Sequence, residues 1–317
     1  MPLTLTAGRD DGDRRLDRIL RKALPGFPLS ALHRLLRKGR VLVNGKAARG
    51  EDRVAEGSVI TVSGLPQTET RASAPEVSAE APGLQSGKLD ILREEPGLLV
   101  LNKPAGLAVH GPGSLDEMVR SYLAGTLPPS LSFKPGPLHR LDRPTSGVIV
   151  FSLNLEGARF FSAMLREGRI KKQYLAIADG TLAKAGIWED GLVRDADAKK
   201  TAPLAASAAK GGAGNGKQAL TGVTPLAVSA DGTHSLLLAE IFTGRTHQIR
   251  AQAAARGHPL SGDKKYGGSR QNGGFFLHAW KIEIPPQGSG SPYGVTAPLP
   301  RRFRRKIEEL FPGFNEQ

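Results

Sequence analysis

Pro137-Leu138-His139-Arg140-Leu141-Asp142-Arg143-Pro144-Thr145-Ser146-Gly147 runs directly into Val148-Ile149-Val150-Phe151. The four apolar residues predict a buried strand, and Thr145-Ser146-Gly147 predicts the tight turn that feeds it. Asp142 therefore sits in a loop at a strand end with cationic side chains on either side, where a scaffold holds a reactive group both rigid and reachable. On spacing alone a structural loop salt bridge reads equally well.

Around this stretch the composition narrows the classes. A chain of 317 residues predicts two domains, or one large domain with an appendage. Its 44 Lys and Arg outnumber 30 Asp and Glu, a net charge of +14, which points to a polyanionic partner, nucleic acid or an acidic membrane surface. With no cysteine, disulfides, thiolate nucleophiles and Cys-based zinc sites are excluded. No signal-like segment follows Met1 and no apolar run reaches the roughly 18 residues of a spanning helix, so a cytoplasmic chain without membrane contact is expected. Aromatic residues are only 5%, which argues against a broad stacking surface for single strands.

Upstream, residues 13–24 carry a helical apolar stripe (Leu16, Ile19, Leu20, Ala23, Leu24) that Pro25-Gly26 ends. A second helix is expected after Ser30 as N-cap, with Leu32, Leu35 and Leu36 inward and Gly39 closing it. On it Arg34, Arg37 and Lys38 share one face, and Arg40 extends the charge. Val41-Leu42-Val43 then meets Asn44-Gly45, a hairpin signal, with Val59–Val62 as a returning strand. Residues 1–63 hold 13 basic and 7 acidic side chains. That cluster predicts contact with RNA phosphates, a solvated helix face being the alternative. Residues 64–88, rich in Pro, Ser, Ala, Thr and Glu, predict a flexible, semi-extended linker that lets two domains reorient.

Downstream of the linker, 89–92 and 98–101 are strand candidates before the turn Asn102-Lys103-Pro104-Ala105-Gly106. Residues 156–167 predict a helix with Phe161, Met164 and Leu165 inward, and 171–178 a strand. Period 2 puts Tyr174 on one face with Ala176 and Ala178, where its ring has room for a planar ligand, a core tyrosine being the alternative. Gly211–Lys217 (GGAGNGK) imitates a phosphate-binding loop. It fails because Gln218 stands where Ser or Thr should meet magnesium, and no buried strand precedes it. Residues 183–217 are instead expected to form a mobile basic surface loop, a flap over RNA. A strand at 235–241 and a helix beginning within Thr243–Arg250 and ending at Gly257 follow, with a basic helical tail at 301–317. Histidines 110, 139, 247, 258 and 278 fit no metal-ligand spacing, and Ser146 lacks the surroundings of a hydrolase nucleophile. Asp142 thus reads as a carboxylate with neither a metal nor a second carboxylate nearby, kept ionised by a close arginine and usable as a nucleophile.

HRLDRPTSG resembles the catalytic motif of the RluA-type RNA pseudouridine synthases. NKPAGLAVH, GRTHQIR followed by GHPLSGDKKYG, FLHAW and VTAPLP resemble the family's other motifs in order, and LHRLLRKGRVLVNGK resembles an S4-type RNA-binding domain. The S4-like part favours the RluC and RluD branch, which modifies large-subunit ribosomal RNA, with LLRKGRVLVNGK slightly more like RluC. The resemblance implies an α+β fold: an S4-like domain at 1–63, a linker at 64–88, and a catalytic domain at 89–300 with a mixed, mostly antiparallel β-sheet. Residues 301–317 remain as the tail. It implies Asp142 as nucleophile on a flipped-out uridine, attacking base or sugar, with Arg250 paired to it. Tyr174 would pack on the uracil and accept a proton late, and Arg140 would enter the vacated stack. Lys103 joins Arg140, Arg34, Arg37, Lys38 and Arg40 as expected RNA contacts. No cofactor or metal is implied, and the chain is expected to act as a monomer. The other readings left open are the same reaction on transfer RNA and a non-catalytic RNA-binding or ribosome-assembly factor. In one place the chain departs from the family pattern: Gln252 stands where a histidine is usual, and it can hydrogen-bond but not titrate.

Overall fold

The computed structural model describes residues 2–65, 88–195, 200–203, 216–288 and 291–314. The N-terminal module begins with strands β1 (Leu3–Thr6) and β2 (Arg14–Arg15), then helices α1 (Leu16–Ala23) and α2 (Leu29–Arg37). Strands β3 (Val41–Val43), β4 (Lys46–Ala47), β5 (Arg53–Val54) and β6 (Val59–Val62) complete it. The sheet order is β1-β6-β3-β4, with β2 pairing β5 separately. Asn44 and Gly45 both have positive φ (51° and 79°), the twist a two-residue hairpin needs. Leu16, Ile19, Leu20 and Leu32 close the core against Val41, Ile60 and Val62. Ser30 is not the cap: α2 starts at Leu29 behind Pro28, whose fixed φ suits a helix entry.

The second module is built on one long sheet. Its elements are β7 (Ile91–Glu95), β8 (Leu98–Lys103), α3 (Leu115–Tyr122), β9 (Gly136–Pro137), β10 (Ser146–Ser152), α4 (Leu155–Arg166) and β11 (Lys171–Asp179). Then come β12 (Gly186–Asp195), β13 (Lys200–Pro203), β14 (Lys217–Val228), β15 (His234–Ile241), α5 (Gln248–Ala255), β16 (Leu277–Ile284), β17 (Tyr293–Thr296) and α6 (Arg301–Leu310). The path runs β13-β12-β14-β15-β11-β16-β10-β8-β7, with β17 on β16 and β9 on β10. The β10–β16 pair is parallel; the other named pairs are antiparallel, so the sheet is mixed and the fold α+β.

Strand β10 is buried along its length because both faces are covered. Ile149 and Phe151 join the core on the side of Tyr174 and Ala176, while Val148 and Val150 pack with Phe161 of α4. Gly147 takes φ +107°, and a Cβ there would lie 2.1 Å from the carbonyl oxygen of Ala279. Only glycine lets β10 approach β16 this closely. Beside it, His278 Nε2 lies 3.1 Å from Ala297 O and Nδ1 2.8 Å from Ser146 Oγ. Burial pushes this imidazole down to about 4, so the neutral ring accepts from Ser146 and donates to Ala297. Ser146 is thus a structural tie.

Two expectations change here. Residues 183–217 are not one surface loop: 186–192 pair with 217–223 across β12 and β14, 192–195 pair with 200–203 across β12 and β13, and Trp188 enters the core. Most of the GGAGNGK segment, and linker residues 66–87, fall outside the described residues. The expected tail forms α6, whose Phe303 and Ile307 are buried with Phe311 against Leu175 and Ile177. It is part of the second module's core.

The modules are fastened directly, although the linker composition suggested free reorientation. Asp11 is fully buried and accepts from the amides of Gly8, Leu131 and Ser132 and from the hydroxyls of Ser130 and Ser132. Arg14 donates to Ser132 Oγ and O, and Asp10 accepts from the Leu155 amide at the start of α4. Leu131 packs into the N-terminal core. Burial alone would raise the Asp11 carboxyl, but these hydrogen bonds, led by Ser132 and Leu131, outweigh it and hold it below the usual carboxylate range.

Asp11→Ala strands buried amides at this seam and should lower unfolding free energy by about 2–4 kcal/mol in urea titration. Because the folded pKa is depressed, the wild-type contribution is complete above the unfolded value near 3.9. It is lost as pH falls through the lower folded value, and the mutant should lack that component of the acid transition.

Candidate active site

The loop carrying Asp142 is held from three sides. Behind it, His139 is stacked on Phe161 and accepts the Val150 amide through Nε2. Burial and Lys172 keep this imidazole neutral, with its pKa near 3. Ahead of it, the Thr145 amide donates to Asp142 O, closing the turn into β10. To the side, Arg143 Nε donates to Gly106 O while the Gly106 amide donates to Arg143 O. Lys103 underlies this junction: its Nζ donates to Pro104 O, Leu107 O and Arg143 O at 2.9, 2.8 and 3.2 Å.

Across the cleft, α5 begins at Gln248 after His247, which has φ 55°. Arg250, on its first turn, donates Nη1 to Asp142 Oδ2 at 2.7 Å. Nε and Nη2 go to the two oxygens of Asp263 at 2.6 and 2.9 Å, a bidentate fork that sets the guanidinium plane. That plane lies over the rings of Phe275 (4.3 Å) and Tyr266 (4.9 Å). Burial opposes the charge on Arg250, but Asp263 and then Asp142 outweigh it and raise its pKa further. Asp142 is 18% exposed, and among the described residues no donor is bonded to its Oδ1. The carboxylate is therefore anchored by one oxygen, with the other unbound.

His247 places Nε2 3.7 Å from Asp142 Oδ2, while its Nδ1 lies 3.0 Å from the Tyr266 hydroxyl. That hydroxyl also accepts the Thr201 amide. Burial pulls this imidazole below its ordinary pKa against the opposing influence of Asp142, leaving it neutral at pH 7.

The cleft gathers Arg140, Asp142, Tyr174 and Arg250. Tyr174 follows a register shift between β11 and β16, a bulge of the kind that re-aims a side chain. It shares its core face with Ala176 and Ala178. Burial, then the charge of Asp142, push its phenol well above the ordinary range, so it presents a neutral hydroxyl and an aromatic face. Arg140 is exposed and makes no hydrogen bond among the described residues. Thr145 also lines the cleft, its hydroxyl buried without a hydrogen-bond partner among the described residues.

Lys103 requires correction as an RNA contact. It is fully buried, and desolvation, against the pull of Asp142, lowers its ammonium to about 8. Three carbonyls hold it under the loop, where no phosphate reaches it. Arg34, Arg37, Lys38 and Arg40 are exposed on α2 and its exit, in the other module from Asp142. The expectation of no second carboxylate is also overturned, since Asp263 is 1% exposed directly behind Arg250. Its signal lay in GHPLSGDKKYG, as did that of Tyr266, and His247 lay in GRTHQIR. Gln252 is on the buried face of α5, accepting from Thr221 Oγ1 and donating to Trp188 O and Asp190 Oδ2. Among the described residues no group of three or more His, Cys, Asp or Glu is placed to hold a metal ion, and no helix is long and apolar enough to cross a membrane.

Comparison with known proteins bears on this geometry. A family profile described as RNA pseudouridylate synthase matches residues 97–255, and one described as S4 domain matches 14–60. A ribosomal large subunit pseudouridine synthase D of Neisseria meningitidis serogroup B is 33% identical over 98% of this chain and 80% of its own. A ribosomal large subunit pseudouridine synthase C of Escherichia coli K12 is 31% identical over 95% of this chain and 94% of its own. The solved structure of human RNA pseudouridylate synthase domain containing 1 superposes with a TM-score of 0.56 at 26% identity, covering 70% of this chain and 87% of that one.

If Lys103 positions the loop without touching RNA, Lys103→Met should leave RNA affinity within about twofold while turnover at saturating RNA falls on the order of tenfold to a hundredfold. A filter-binding isotherm beside a single-turnover time course separates the two effects.

Proposed function

Because the chain belongs to the RNA pseudouridylate synthase family, we propose that it isomerises uridine to pseudouridine in large-subunit ribosomal RNA, with Asp142 as the nucleophile. The observation that carries this assignment is the 2.7 Å pairing of Asp142 Oδ2 with Arg250 in a cleft where, among the described residues, no donor is bonded to Oδ1. The guanidinium holds the carboxylate in place by one oxygen, and a partly desolvated carboxylate held in this way is a usable nucleophile.

The reaction breaks the N1–C1′ bond of one nucleotide and makes a C5–C1′ bond. The proton lost from C5 is balanced by one gained at N1, so no atom or electron is exchanged with a co-substrate. A uracil inside a duplex must first leave the stack, which costs a few kcal/mol. Arg140, exposed and uncommitted, is suited to fill the gap and meet phosphates. Tyr174 offers its ring to the uracil. Its raised pKa favours a packing role over that of a proton acceptor, because the free enzyme holds no phenolate. Residues 1–63 act as the RNA-holding module, 89–300 as the catalytic one, and the place of action is the cytoplasm, where ribosomal RNA is assembled.

Asp142→Asn keeps size and shape and removes the charge. Turnover on a large-subunit ribosomal RNA transcript should fall at least about a thousandfold, with RNA affinity within about threefold of wild type. Mapping pseudouridines in cellular RNA with and without the protein should show large-subunit positions lost. Retained turnover in the variant sinks the nucleophile, and losses confined to transfer RNA sink the substrate.

A further inference from the structure

The seam that joins the modules also forms a groove of about 530 Å³, far larger than one ion needs. Arg14, Arg21 and Lys22 line it from the N-terminal module, and Lys134 lines it from the segment leading to the catalytic loop. Among the described residues no carboxylate lines it. Arg159 on α4 and Arg18 on α1 are close enough to depress Arg14, which burial has already lowered against the pull of Asp11. The neighbouring acids are committed: Asp11 accepts from five groups, and Asp10 from the Leu155 amide.

Elsewhere on the surface many cations are paired, as in Arg15–Asp17, Arg53–Asp13 and Arg120–Asp116. By contrast the side chains of Arg18, Arg21, Lys22, Lys134 and Arg159 make no ion pair or hydrogen bond among the described residues, and all are exposed. Arg14 is the one fixed member. Its Nη1 donates to Ser132 O and Oγ, leaving Nε and Nη2 for a planar or tetrahedral anion. At Arg14 the like charges of Arg159 and Arg18 act against the pull of Asp11 and Asp10, and a polyanion relieves the repulsion among the unpaired cations.

We propose that this groove binds the sugar-phosphate backbone of the substrate RNA, so that one RNA segment touches both modules at once. The proposal rests on the reading of the protein as an RNA-modifying enzyme but uses residues apart from both the Asp142 cleft and the α2 face. Contacts of this kind position the RNA and carry no sequence information. Their role is to hold a substrate across the seam while the uridine enters the cleft.

The test uses the full-length chain and a transcript of large-subunit ribosomal RNA. One variant carries Arg21→Ala and Lys22→Ala, the other Lys134→Ala and Arg159→Ala; these exposed side chains leave the Asp11 cluster intact, which unchanged thermal unfolding verifies. Each pair should weaken Kd about tenfold at 0.15 M salt and make the log–log salt dependence shallower by about 1–2, with turnover at saturating RNA unchanged. Phosphate-ethylation interference should be relieved at the same short run of nucleotides in both variants. Unchanged affinity and slope in both variants overturn the proposal, as does relief at phosphates in separate helices of the RNA. If both variants lose affinity at shared phosphates while the wild type binds but does not isomerise, the groove stands and the enzymatic reading falls.

Discussion

One guanidinium between two carboxylates governs the second module. Asp263 and Arg250 are both buried, and a charge removed from water is tolerated only when matched and hydrogen-bonded. Asp263 occupies two edges of the Arg250 fork, and the remaining Nη1 has one direction left, toward Asp142. Losing one member of such a buried pair costs about 3–5 kcal/mol, so the chain must bring residues 142, 250 and 263 together to fold well. The requirement of folding and the geometry of the cleft are the same requirement. The triad as a whole carries one surplus negative charge, and it resides on its most exposed member.

The sheet delivers these residues through its single parallel pairing. β10 and β16 run side by side only because Gly147 lets the backbones close to contact distance, with Ser146 and His278 tying the strands at that point. Asp142 enters four residues before this pairing, and Phe275, under the Arg250 plane, enters two residues before β16. Lys103 ends β8, the antiparallel neighbour of β10, and sews the two loop exits together. Three strand ends therefore converge on the loop that carries the carboxylate.

Local chemistry was legible in the sequence wherever it acted locally. The VIVF strand, the Asn44-Gly45 hairpin and the shared face of Tyr174, Ala176 and Ala178 all follow from periodicity or turn preference, and the structure has them. Burial of a charged side chain was not legible: Lys103 beside a basic motif looks like Arg140 beside one, and only tertiary packing separates them. Asp263 was hidden by distance, 121 positions from Asp142, since a fork needs its partner in space and not in sequence. The stretch 183–217 misled because its Gly, Lys and Ala content matches loops, whereas β12 forms by pairing with β14, a long-range interaction that overrides local preference. Ser30 lost to Pro28 because both residue types suit a helix start, and the helix begins one residue ahead of Ser30, at Leu29.

Leu131 and the amides beside it belong by sequence to the second module and by packing to the first. A piece of the protein cut at the linker would therefore not be a smaller working copy. It would carry a bare leucine and unsatisfied N–H groups at positions 131 and 132, shortly ahead of Asp142. The boundary that the chain draws and the boundary that folding draws lie in different places, and shortening the protein along the first would wound it along the second.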